Sequence, residues 1–402
     1  MAGQMEKYAD LIVRAGVNVQ PGQMLIVNAP IECVAFARLL CEKAYDAGAG
    51  DVFVFWNDEK LRKLRLERAD IPHLEDVPSW IVDARLHYVK EKGACAISIY
   101  AEDPDLLQGI DPDKAAAEHK ALASVMKPYR RYMMGNQARW CVVAQPTIGW
   151  AKKVFPHLSD ADAVQALQQA ILKASRADGD DPVAAWARHT AQMQARLERM
   201  NDYRFSALHY TSGNGTDFTV GLADDHLWCG GIEYDPQGTP FSANIPTEEI
   251  FTAPHRDRAE GVVKGSKPLL YNGILIQDLS LTFKDGRVVD FSAQENAETL
   301  GHLLETDEGS RHLGEIALVP YDSPINNMGI LFYNTLFDEN AACHFALGEA
   351  YPTTIGGEDR GEDTLKQKGL NTSLSHEDFM IGTADTAIDG ITASGERIAK
   401  SS

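Results

Sequence analysis

The chain is short of basic charge. Against 58 aspartates and glutamates it carries only 38 lysines and arginines, a formal charge of −20 over 402 residues. A surface of that sign repels phosphate backbones and anionic lipid, which argues against nucleic acid and membrane surfaces as partners. Most of the excess carboxylate reads as solvated surface serving solubility, although it can also serve cations. The chain also lacks any stretch near the roughly 18 uninterrupted apolar residues that a membrane span requires. Its opening segment, MAGQMEKYADLIVRAGVNV, interrupts its apolar positions every few residues. That pattern suits an amphipathic helix rather than the continuous apolar region of an export signal. Cysteine is sparse and unpaired: Cys33, Cys41, Cys95, Cys141, Cys229 and Cys343 form no CxxC and lie in apolar surroundings. This predicts buried free thiols, no disulfide and no thiolate metal site, as in a reducing cytoplasm.

Several chemical signatures are missing as well. There is no GxGxxG after a strand and no GxxxxGK[ST], so no dinucleotide or nucleoside triphosphate site is implied. HExxH and GxSxG are absent, and no cysteine has a recognisable nucleophile setting, which argues against serine and thiol hydrolases. Gly213-Asn214-Gly215 sits amid β-leaning sequence and reads as a hairpin turn.

What is present falls into two textures, and the length exceeds the usual size of one core, so two domains are expected. In the first, strands near Met24–Val27, Asp51–Trp56, Cys95–Tyr100 and Arg139–Ala144 alternate with helices near Ile31–Ala47, Asp58–Ala69, Val77–Lys92 and Pro112–Met133. Such alternation builds βαβ units, hence an α/β domain with a mostly parallel sheet. Asp111 is the expected cap of the fourth helix, and Pro128 should kink or break it. Two connector helices follow, one opened by Ser159 with Asp162 three residues on, the other by Asp181 and Pro182. From Phe205 the runs become short and β-rich, with Asp285-Gly286 a strong hairpin signal between Ser280–Phe283 and Val288–Phe291. One helix, Ser292–Leu304, is expected there, and the acidic, glycine-containing run Gly356–Asp363 reads as a mobile loop. The division is set at residues 1–202 and 203–402, the latter a β-rich α+β domain.

Carboxylates and imidazoles collect in that second half. Glu315 stands in an apolar strand-like run, where a carboxylate is costly unless it faces a cation or donors. His376 and Asp378, at i and i+2, project from one face of a strand while Glu377 projects from the other. His344 lies in an apolar run, where a hydrogen-bonded core histidine is the common alternative to a ligand. Tyr351 suits packing as well as catalysis. Glu248 and Glu249 are adjacent, so only one can face a given site from an extended segment; alternatively they open an exposed helix capped by Thr247. Two divalent ions need about five or six such ligands with a bridging carboxylate.

The motifs NIPTEEIFTAP, HLGEIALVP, ENAACHFALGEAY and HEDFMIG, together with YADLIVRAGVNVQPGQ near the start and the Trp140–Trp150 segment, resemble the thermophilic aminopeptidase family. Their order and spacing cover essentially the whole chain. The resemblance implies a dinuclear metallo-aminopeptidase, usually a homodimer, with an α/β N-terminal domain and a β-rich domain carrying the metals. Its ligands would be Glu249, Glu315, His344, His376 and Asp378, with Glu339 a further ligand or a neighbour of one and Tyr351 beside the metals. The ions would be zinc, cobalt or manganese, and the substrates peptides with a free N-terminus, cleaved by a metal-activated water. Glu315 or a carboxylate close by would move the proton, and Tyr351 would hydrogen-bond the developing oxyanion. A competing enzyme reading takes His344, His376 and Asp378 alone as the facial triad of a mononuclear iron dioxygenase. That reading has no use for Glu249 or Glu315. A third reading is a metal-free, non-catalytic hydrogen-bonded network of the same residues.

Overall fold

The computed structural model describes residues 2–357 and 360–400. The chain packs as two compact units, and neither is a continuous half. The first takes the chain up to Gln192 with Gly231–Thr247 and Met328–Phe337; the second takes Met193–Gly230, Glu248–Asn327 and Asp338 onward. The change of unit at Gln192 falls inside the helix Pro182–Tyr203, whereas the β-rich texture begins after it.

In the first unit four strands, β1 (Met24–Pro30), β2 (Asp51–Asn57), β3 (Cys95–Tyr100) and β4 (Trp140–Ala144), form a parallel sheet in the order β2-β1-β3-β4. β1 has Leu25, Ile26 and Val27 buried in succession, the uninterrupted burial expected of a central parallel strand. Beyond β4 the chain returns along the sheet edge. Val142 N–H donates to the Ala243 carbonyl at 2.7 Å, and Ile245 N–H donates to the Val142 carbonyl at 3.0 Å. Trp150, fully buried, donates its indole N–H to the Phe332 carbonyl at 2.6 Å. The caps fall where side-chain chemistry predicts: Asp111 accepts from Asp113 N–H, Ser159 from Asp162 N–H and Asp181 from Ala184 N–H. Pro128 does not break its helix, which runs unbroken over Pro112–Met134. One missing N–H is tolerated when the turns on both sides stay intact.

The second unit stacks two sheets. Strands β5 (Ala207–Thr211), β6 (Asp217–Leu222), β7 (Ile250–Thr252), β8 (Pro254–Lys264), β9 (Ser280–Lys284), β10 (Arg287–Ser292), β11 (Leu313–Leu318), β12 (His344–Gly348), β13 (His376–Met380), β14 (Ala387–Ile391) and β15 (Arg397–Lys400) supply both. The larger sheet has the order β10-β9-β8-β6-β5-β14-β15, the smaller β13-β12-β11-β7. Asp285 and Gly286 both have positive φ, 50° and 78°, as the tight β9–β10 turn requires. The helix expected from Ser292 begins only at Ala297. Ser292 is still paired with Ser280, and Asn296 takes a left-handed φ of 60°, which a helix interior excludes. The expected loop at Gly356–Asp363 is also shorter, because a helix starts at Glu362; Glu358 and Asp359 lie outside the described residues.

The smaller sheet has two unlike faces. One face presents Ile316, Phe345, Leu347 and Phe379, and Phe345 meets Tyr210 and Phe218 of the larger sheet at 5.0 and 5.4 Å between ring centroids. Burial of these side chains holds the two sheets together, each worth about 1.5–3 kcal/mol. The opposite face carries the candidate site.

Candidate metal centre

Strand register brings the acidic and imidazole side chains together. Ala317 pairs with His344, Glu315 with Ala346, Ala346 with Asp378 and Gly348 with His376, so His344, Glu315, Asp378 and His376 share one face. Ala317, Ala346 and Gly348 are the small residues among them, leaving room for the longer side chains to converge. Phe251 pairs with Ala317, which puts Glu249, two residues earlier, on the same side.

Simple alternation would give Leu313 and Glu315 the same face. The register instead slips by one residue between them, a β-bulge at Gly314 that leaves Leu313 opposite Leu347 in the apolar core and Glu315 on the polar side. Gly314 is required there, since a Cβ would lie 2.4 Å from the carbonyl oxygens of both Gly348 and Glu349.

Two groups of three ligand atoms result, each with its atoms within 4.8 Å of one another: Glu249, Glu315 and His344, and Glu315, His376 and Asp378. Glu315 belongs to both. Its Oε1 lies 3.6 Å from His344 Nε2 and its Oε2 3.7 Å from His376 Nε2. Each imidazole is aimed by its other nitrogen: His344 Nδ1 lies 3.1 Å from the Ala342 carbonyl and His376 Nδ1 2.7 Å from that of Glu349. A carbonyl only accepts, so Nδ1 carries the proton in both rings and Nε2 faces the carboxylates.

The donor set fits a cation. His344 Nε2 lies 3.0 Å from Glu249 Oε2, yet both buried atoms lack hydrogen-bond alignment, as does Asp378 Oδ1. Close, buried and unaligned donors and acceptors are costly unless something charged sits among them. Burial pushes Glu315 up to about 7, with the charges of Glu249 and Asp378 adding to it. Burial would lower both imidazoles, but the carboxylates outweigh it; His376 rises to about 10 and His344 well above its ordinary value.

The remaining expected residues are near, in different capacities. Glu339 is in neither group; burial raises its carboxyl well above the ordinary range, and it hydrogen-bonds Asp378. Glu248, on the face-choice question, is not in either group, and its N–H donates to Asn340 Oδ1 at 2.7 Å. Neither Glu248 nor Glu249 opens a helix, and both are buried, at 4% and 6% exposure. The Tyr351 ring stands edge-on to His376 at 5.3 Å and tilted against Phe251 at 5.4 Å. Sequence reasoning passed over Gly314, Asn340 and Glu349. A glycine inside the strand-like HLGEIALVP was a signal for a bulge; nothing local marked the other two.

The model of the thermophilic metalloprotease (M29) family matches residues 1–400. The chain belongs to that family. Aminopeptidase 2 of Geobacillus stearothermophilus is 46% identical over 395 residues, covering 98% of this chain and 95% of that protein. Aminopeptidase T of Thermus aquaticus is 42% identical over 394 residues, with 98% and 96% covered. The solved structure of wild-type AmpT from Thermus thermophilus superposes with a TM-score of 0.91 at 40% identity, covering 100% of this chain and 98% of that one. The protein is therefore a metal-dependent peptidase with an α/β N-terminal region and a β-rich C-terminal one. The facial-triad oxygenase reading falls with that membership. Among the described residues no helix is long and apolar enough to cross a membrane.

Proposed function

We propose that this metalloprotease is an aminopeptidase that removes N-terminal residues from peptides at a centre of two divalent ions. One ion would be held by Glu249, Glu315 and His344, the other by Glu315, His376 and Asp378. The observation that carries the reading is the division of the Glu315 carboxylate, one oxygen toward each imidazole. Glu249, Glu315 and Asp378 offer three carboxylates to the two ions, with Glu339 hydrogen-bonded to Asp378 beside them. Imidazole and carboxylate donors suit zinc, cobalt or manganese.

Bound metal supplies a water acidic enough to be a nucleophile near neutral pH and polarises the scissile carbonyl. With both oxygens of Glu315 turned to the ligand groups, Glu339 beside Asp378 is the carboxylate that would take a proton from the attacking water and return it to the leaving amine. Tyr351, whose phenol burial holds well above its ordinary pKa, stays protonated and donates a hydrogen bond to the developing oxyanion. The substrate's free α-amino group would bind an ion or a carboxylate of the site, which restricts cleavage to the first peptide bond. A cytoplasmic homodimer accords with the family resemblance and the unpaired cysteines.

The test is metal analysis of the purified protein combined with hydrolysis of leucine p-nitroanilide and its N-acetyl derivative. Two ions per chain, turnover of the free amine only, and loss of turnover in EDTA are expected. Full turnover in EDTA, or equal cleavage of the acetylated substrate, would overturn it.

A further inference from the structure

We propose that Asp307 is a positioning residue that aims His376 at its metal through the segment Ser373–Ser375. The inference rests on the two-metal reading above and assigns a role within one half of that centre.

Asp307 begins the short turn Glu308–Arg311, and as a cap it needs to accept only from Ser310 N–H, at 2.9 Å. Its carboxylate does more. Oδ1 also accepts from the hydroxyls of Ser310 at 3.0 Å and Ser373 at 2.7 Å, while Oδ2 accepts from Leu374 N–H at 2.6 Å. Hydrogen bonds to an ionised acceptor are roughly twice as strong as neutral ones. Two of these four therefore clamp a segment 66 and 67 residues away in sequence, immediately before His376.

The clamp is passed on to the imidazole. Ser375 N–H donates to the Ser373 hydroxyl at 3.1 Å, and the Ser375 hydroxyl lies 2.9 Å from that of Ser310. The Ser375 carbonyl accepts from Glu349 N–H at 2.7 Å, and the Glu349 carbonyl in turn accepts from His376 Nδ1–H at 2.7 Å. The Glu349 carboxylate also accepts from Ser373 N–H. Gly309 permits the approach, since a Cβ there would lie 2.0 Å from the Thr372 carbonyl oxygen. None of these bonds reaches His344, whose Nδ1 is aimed by the Ala342 carbonyl. Loss of the Asp307 carboxylate should therefore separate the two ions.

The experiment is a titration of metal-depleted full-length protein with Co(II) against a chromophoric chelator, for wild type, Asp307→Asn and Ser373→Ala, with leucine p-nitroanilide turnover followed at limiting and excess Co(II). The wild type should take two ions. Asp307→Asn should bind the first as the wild type does and the second about 10–100-fold more weakly. Its turnover should fall at limiting metal and recover at excess, and the unaltered first ion separates this from a loss of fold stability, which would weaken both. Ser373→Ala keeps the cap and loses one clamp, so a smaller shift in the same ion is expected; it decides the matter if Asp307→Asn does not fold. Wild-type affinity for both ions in the variants, or equal weakening of both, overturns the inference. Fewer than two ions on the wild type overturns the two-metal reading itself.

Discussion

Each unit of this protein gathers buried or half-buried carboxylates, and the two gatherings behave differently. In the first unit Glu32, Glu59 and Asp103 follow the C-terminal ends of β1, β2 and β3 and line a cavity of about 340 Å³. In the second, Glu315 and Asp378 sit within strands. Burial pushes Glu59 up to about 7, with Glu102, Glu32 and Asp103 adding to the push, much as burial pushes Glu315. Yet both groups of convergent ligand atoms found among the described residues are in the second unit. The difference is one of direction. Side chains on paired strands are aimed by register, so four of them can meet across a few ångströms, whereas Glu32, Glu59 and Asp103, each just past a strand end, share a cavity without bringing three ligand atoms together. Acidity alone does not converge ligand atoms; register does, setting two imidazoles and a shared carboxylate at ligand distance.

The contrast is tested most severely at Glu315. Glu315→Gln keeps the shape and removes the charge common to both groups, so turnover of leucine p-nitroanilide should fall on the order of 10³-fold. Metal content should drop below two per chain while the circular dichroism spectrum stays that of wild type. Retained turnover would place the second unit's cluster on a par with the first.

A smaller effect, on stability, is expected at the bulge. Gly314→Ala forces a Cβ against two carbonyl oxygens, costing about 1–3 kcal/mol and lowering the thermal midpoint; metal content should fall with it as Glu315 is displaced. An unchanged midpoint would show that the bulge does not depend on glycine.

The smallest effect has the opposite sign. Glu59 has a folded pKa raised above its unfolded value, so the unfolded chain ionises first. Folding stability is therefore lost as pH rises from about 4.5 through about 7. Glu59→Gln keeps the oxygen that accepts from Asp103 N–H and removes that loss. It should stabilise the protein by on the order of 1 kcal/mol at pH 8 and scarcely at pH 4.5, with metal content and turnover unaltered. Denaturant melts at the two pH values check this, and a fall in metal content would mean that the first cluster also holds an ion.

Much of the local structure was legible because it depends on neighbouring residues alone. Asp285-Gly286 closes a hairpin since both positions need positive φ. Ser159, Asp181 and Asp111 cap helices because a short acceptor side chain reaches the free N–H groups of the first turn. His376 and Asp378 share a face because strand side chains alternate. The start of the helix at Ala297 was misread, since a polar amphipathic stretch does not reveal that Asn296 is held in a left-handed conformation.

By itself, then, the sequence determined the βαβ alternation, the β-rich second half and a set of motifs similar to one family's, because each of these is written in local pattern. Only the tertiary structure decided that Leu313 and Glu315 part company at Gly314, that Glu249 rather than Glu248 lies beside His344, and that Asp307 reaches Ser373 and Leu374. It also decided that each compact unit collects separate stretches of chain. These relations join residues tens of positions apart through backbone register and carbonyl contacts, which no single stretch of residues encodes.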